Sequence, residues 1–218
     1  MVIFDCNGVL VDSEPLATAV ASREFMRAGF ALTPDIIARY FTGRRAADMF
    51  NEVEIAAGRK LPPNFAVTVA QATIEKFRAE LRATHHAAQA LAWLRGPKCV
   101  ASSSSLERIR VSLETTDLLR YFEPYVFSAN EVPQGKPAPD LFLHAAQKMH
   151  VLPRECIVVE DSMVGVAAGV AAGMTVVGFA GGSHAGAELA DNLRAAGART
   201  VINDMRALKT AVVDLRGW

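Results

Sequence analysis

Val2-Ile3-Phe4-Asp5-Cys6-Asn7-Gly8-Val9-Leu10-Val11-Asp12-Ser13 is the stretch that decides how this chain is read. An apolar run carries a carboxylate to the end of a short strand, and a glycine turn follows at once. That order places Asp5 at a strand's C-terminal edge, where α/β folds carry their chemistry. A second stretch, Ile157-Val158-Val159-Glu160-Asp161-Ser162, repeats the pattern of an apolar strand ending in acids. Between them lies Gly135-Lys136-Pro137-Ala138-Pro139-Asp140, a cation in a proline-stiffened loop. Two acidic strand ends and one lysine are suited to gather a divalent cation and a phosphate in one site.

Outward from these stretches, strand-like runs recur at 1–4, 98–101, 125–127, 156–160, 174–178 and 200–201. Helical spacing or composition fills 87–94, 106–113, 139–149, 164–172 and 187–195. This alternation predicts an α/β fold: a Rossmann-like parallel sheet buried on both faces by helices. The glycines of the alanine-rich run at 164–174 read as packing devices against that sheet, not as a nucleotide loop.

Residues 14–82 break the alternation with helical patterns at 15–28, 34–40, 45–57 and 64–81. Thr33-Pro34 supplies a capping oxygen and a proline at the first helical position. The expected organisation is a catalytic core of 1–13 and 83–218 and an inserted all-α cap of 14–82. Its hinges fall near 12–15 and 82–86.

Composition narrows the function classes. The chain has 218 residues, of which 51% are hydrophobic and 21% charged, enough for a sizeable core and against disorder. Lys plus Arg and Asp plus Glu both total 23, so no broad field favours nucleic acid or an anionic membrane. An anionic ligand then needs a local pocket of positive charge. Cys6, Cys99 and Cys156 lack metal-site or redox spacing and read as reduced core thiols. With no leader pattern and no apolar run long enough to span a bilayer, the expected location is cytoplasmic.

Four segments together resemble the haloacid dehalogenase superfamily phosphatases that carry a helical cap after the first strand. FDCNGVLVDSE resembles the first family motif, VASSS the second, GKPAPD the third and VVEDS the fourth, in the family's order and across essentially the whole chain. The resemblance implies that Asp5 is the nucleophile forming an aspartyl-phosphate, Ser102 a donor to the phosphoryl oxygens and Lys136 the neutralising cation. It also implies Mg²⁺, held by Asp5, the backbone carbonyl of Asn7 and Asp161, with Glu160 bound directly or standing behind. Gly8 and Ser162 read as local supports. Ser103 is a candidate substrate contact, although Ser103 and Ser104 also suit a helix cap before Leu106. Arg44 and Arg45, between two cap helices, are candidates for a second anionic group or for solvated positions. His184 reads as a loop residue at the rim or in solvent.

Asn7 departs from the pattern, because the family's phosphatases place an acid–base aspartate there. An amide cannot protonate a leaving oxygen or activate water, so turnover is expected to fall by about 10²–10⁴-fold. Two origins fit: an Asp→Asn exchange made to trap substrate, which is the reading adopted, or a natural variant. The expected function is hydrolysis of a small phosphorylated metabolite, a sugar or sugar-acid phosphate, by a monomer or homodimer. The alternatives are a phosphomutase of the beta-phosphoglucomutase type and a catalytically silent phosphoester-binding protein. The mutase is disfavoured because Ala17 stands where those relatives carry a cap histidine.

Overall fold

The computed structural model describes residues 1–216. Six parallel strands form one sheet: β1 (Val2–Phe4), β2 (Lys98–Ser102), β3 (Val126–Ser128), β4 (Ile157–Glu160), β5 (Thr175–Phe179) and β6 (Thr200–Ile202), in the order β3-β2-β1-β4-β5-β6. The chain builds outward from β1 to β3, then returns to the other side of β1 for β4. The switch point therefore lies between β1 and β4, where ligands bind in such sheets.

Side-chain alternation assigns the faces. Val2, Phe4 and Val100 point to one side, packed by α5 (Ala87–Trp93), α6 (Leu106–Thr115) and α10 (Leu208–Arg216). Ile3, Cys99 and Val158 point to the other, covered by α7 (Asp140–Lys148), α8 (Met163–Ala171) and α9 (Leu189–Ala195). Burial on both faces is why these strands read as apolar runs. The strand and helix positions follow the sequence reading to within a few residues. α10 is the element that reading lacked; Leu208, Ala211 and Val212 form its buried edge at helical spacing. Cys6, Cys99 and Cys156 are buried free thiols. No helix among the described residues is long and apolar enough to cross a membrane.

Between β1 and α5 lie α1 (Glu14–Arg27), α2 (Pro34–Phe41), α3 (Ala46–Ala57) and α4 (Phe65–Glu80). They bury a core of their own around Phe25, Phe30, Ile37, Val53 and Phe65, with the Phe25 and Phe65 rings 4.8 Å apart. Thr33 caps α2 as expected, its hydroxyl accepting from the Ile36 amide at 3.4 Å. The two connections to the sheet run side by side: the Asp12 amide donates to the Arg82 carbonyl at 3.0 Å and the Thr84 amide to the Leu10 carbonyl at 2.9 Å.

Candidate active site

Register brings the key residues together. Phe4 pairs with Val100 on one side and Val159 on the other, and the Asp5 amide donates to the Val159 carbonyl at 3.0 Å. Asp5, Ser102 and Glu160-Asp161 thus emerge at the same edge of three adjacent strands. Asp5 is 6% exposed and Lys136 2%, so their chemistry takes place largely out of water.

Lys136 Nζ donates to Asp5 Oδ1 at 2.5 Å and also to Glu160 Oε1. Burial by itself would lower the lysine's pKa, but Asp5 and Glu160 hold it above its ordinary value. Burial raises Asp5 well above the usual carboxylate range; Lys136 opposes this, while Glu160 and Asp161 add to it. Burial likewise pushes Asp161 up to about 6, although the His184 ring favours the carboxylate. Three buried carboxylates against one ammonium leave two formal negative charges, which a divalent cation would balance.

Glu160 is occupied otherwise. Its second oxygen accepts from the Ser162 amide at 3.0 Å and the Ser162 hydroxyl at 2.9 Å. Gly165 makes room for it, since a Cβ at 165 would lie 2.0 Å from the carboxyl. Ser162 also caps α8, accepting from the Gly165 amide at 3.1 Å. The packing role expected for the α8 glycines therefore includes housing this carboxylate.

Asp161 Oδ2 is buried and makes no hydrogen bond; the His184 ring stands 3.0 Å away, off the hydrogen-bonding direction. Gly8, at φ +72°, lies directly against it: a Cβ there would come within 1.8 Å of that oxygen. His184 is thus packed on the acid edge and not simply solvated. Among the described residues no three His, Cys, Asp or Glu side chains form a metal cluster by themselves. A cation here would draw on Asp5, Asp161, a backbone carbonyl and water, a hard-oxygen set that suits Mg²⁺.

The serine run divides its work differently from the sequence reading. Ser105, not Ser103 or Ser104, caps α6, accepting from the Arg108 amide at 3.3 Å. Ser104 Oγ accepts from Asn7 Nδ2 at 2.9 Å, and the Ser104 amide donates to Ser102 Oγ at 3.4 Å. Ser103 donates to the Gly43 carbonyl at 2.8 Å, joining the sheet edge to the loop between α2 and α3. Gly43, at φ +79°, approaches so closely that a Cβ would lie 2.3 Å from Ser162 Oγ. The other half of the Asn7 amide, Oδ1, is buried without a partner.

A cavity of about 280 Å³ opens from Asp5 and Asn7 into the inserted helices. Arg44 and Arg45 both line it, yet each is held by a neighbouring acid. Arg44 pairs with Glu52 through both carboxylate oxygens, one bond at 3.0 Å, and Arg45 meets Asp48 at 3.0 and 3.2 Å. Arg108, on the first turn of α6, lines the same cavity and was missed in the sequence. Its guanidinium lies 4.9 Å from the Phe77 ring centre. Burial lowers its pKa, against the pull of Glu14 and Asp5. The only sequence signal was its place just after the second motif.

Comparison with known proteins agrees with this geometry. A family model described as haloacid dehalogenase-like hydrolase matches residues 1–173. The chain is 33% identical over 184 residues to a 6-phosphogluconate phosphatase of Escherichia coli K12, covering 84% of this chain and 83% of the relative. It is 30% identical over 183 residues to hexitol phosphatase A of the same organism, covering 80% of each. A conserved haloacid dehalogenase-like protein of unknown function from Agrobacterium tumefaciens C58 superposes with a TM-score of 0.83 at 35% identity, over 99% of this chain and 98% of that one. The family match over residues 1–173 and the likeness to phosphatases along most of the chain place it in the haloacid dehalogenase-like hydrolases, among their phosphatases.

Proposed function

We propose that this chain hydrolyses a small phosphorylated sugar or sugar acid by way of an aspartyl-phosphate on Asp5. The observation that carries this reading is the meeting of Asp5, Lys136, Ser102 and Asp161 at one sheet edge, beneath a cavity sized for a small metabolite. An Asp5 oxygen attacks phosphorus and the bond to the substrate oxygen breaks; water then cleaves the acyl phosphate, releasing phosphate and restoring Asp5. Lys136 holds Asp5 in line and offsets charge as the two anions approach. Ser102 orients the phosphoryl oxygens.

The cation suited to Asp5, Asp161 and the Asn7 carbonyl is Mg²⁺, which would supply charge neutralisation at the phosphoryl oxygens. Glu160 fixes Lys136 and stands behind the metal ligands, with Lys136 on one of its oxygens and Ser162 on the other. Residues 14–82 act as a cap domain over the core 1–13 and 83–218, with Ser103 fastening Gly43 to the sheet edge.

Asn7 leaves the departing oxygen without a proton donor, so the chain as it stands turns over slowly. Restoring the acid with Asn7→Asp should raise phosphate release by about 10²–10⁴-fold across a panel of sugar phosphates with Mg²⁺. An unchanged rate would overturn the reading. Tight ester binding with no turnover in either form would favour the silent binder, which Asn7 alone supports. Ala17 lines the cavity in place of a histidine, which keeps hydrolysis ahead of phosphoryl transfer to a sugar.

A further inference from the structure

Among the arginines lining the cavity, Arg108 is the one not bonded to a carboxylate; Glu14 and Asp5 act on it only through their fields. The Arg108 Nε is buried and unbonded, and its side chain makes no ion pair or hydrogen bond with any described residue. Both other arginines lining the cavity carry their own carboxylates, Glu52 and Asp48. Arg108 also sits in the first turn of α6, where the helix dipole disfavours a cation. Phe77 occupies one face of the guanidinium. The wall beyond is largely apolar, with Ile37, Met49, Val69 and Ile74, so one desolvated charge there has a large say in what binds.

We infer that Arg108 anchors a carboxylate carried by the substrate, which makes the substrate class a phosphorylated sugar acid. The inference rests on the phosphate-ester reading of the same site. A planar guanidinium presents paired N–H groups that match the two oxygens of a carboxylate. Glu14, at the same cavity wall, offers an acceptor to a substrate hydroxyl and would repel a misplaced carboxylate. The competing account gives Arg108 a purely internal task, balancing the charge of Glu14 and Asp5.

Slow turnover at Asn7 permits a direct binding test on the chain as it is. With Mg²⁺ present, titration calorimetry would compare inorganic phosphate, a phosphorylated aldonate, the matching phosphorylated alditol and the matching alditol bisphosphate. The aldonate should bind about tenfold or more tightly than the alditol. Arg108→Met should erase that preference while leaving phosphate and alditol affinities within about twofold. Arg108→Lys should keep part of it, as a point charge without the fork.

Equal affinity for aldonate and alditol in the unaltered chain would overturn the inference without any variant, so a misfolded Arg108→Met protein does not shield it. A preference that survives Arg108→Met would overturn it as well, and a bisphosphate bound more tightly than the aldonate would replace the carboxylate with a second phosphate. Failure to bind inorganic phosphate would overturn the functional reading and this inference together. Phosphate binding without acid preference would overturn this inference alone.

Discussion

The sheet edge and the inserted helices meet at one cavity but are built on opposite principles. At the sheet edge, charged groups are buried and bonded to one another: Lys136 to Asp5 and Glu160, Glu160 to Ser162, with Asp161 pressed against Gly8. The inserted helices hold together through an aromatic cluster of Phe25, Phe30, Phe50 and Phe65, and their charges mostly pair on the surface. The first arrangement is fixed by strand register and tolerates little change. The second needs only an apolar interior, leaving its cavity-facing residues free to vary. On the proposed reading, reaction type belongs to the sheet, and choice of substrate is shared between the inserted helices and Arg108 of α6, which lies against Phe77 of α4.

The largest effect that can break this division is at the nucleophile. In the Asn7→Asp protein, Asp5→Asn should reduce phosphate release to the uncatalysed background while the fold persists. Any residual turnover above about 1% of the parent would move the nucleophile elsewhere. Phe25→Ala should come next. Its ring is fully buried, and its loss should cost about 3–5 kcal/mol within the inserted helices. Hydrogen exchange should then show α1–α4 losing protection while β1, β2 and β4 keep theirs. Loss of protection throughout would mean the two regions fold as one unit.

A smaller effect should follow at their junction. Gly43→Ala adds a Cβ at a positive φ where the Ser162 and Val164 side chains leave no space, and should weaken ester binding about tenfold without altering inorganic phosphate binding. Equal losses for both ligands would make the junction part of the phosphate site.

An effect of similar size concerns pH. A metal ligand must be deprotonated, and burial holds Asp161 up at about 6. Mg²⁺ affinity by calorimetry should therefore fall about tenfold between pH 7 and pH 5. Without metal the sign reverses. The folded chain then holds this proton more tightly than the unfolded one, so stability is gained as pH falls through about 6 toward the ordinary carboxylate range. A flat Mg²⁺ response would remove Asp161 from the ligand set.

The sequence carried the fold well because period and punctuation are local. The apolar runs ending in Asp5 and Glu160-Asp161 and the alternation of strands with helices are features of neighbouring residues. Thr33-Pro34 is legible for the same reason. α10 was not, because its apolar edge is short and acquires meaning only against the face packed by Leu91 and Phe4. Arg44 and Arg45 were reasonable anion sites in sequence; what the sequence could not show was Glu52 and Asp48 one or two turns along α3, already spending their charge.

Linear order by itself determined the sheet-and-helix pattern, the inserted helical block and the identity of the acids and lysine at the strand ends. Tertiary structure alone decided which hydroxyl capped α6, that Glu160 pairs with Lys136 and Ser162, that His184 packs on Asp161, and that Arg108 is the cavity's unpaired arginine among the described residues. The reason is physical: propensity and hydrophobic period act over a few residues, whereas the state of a buried charge depends on partners brought near from anywhere in the chain.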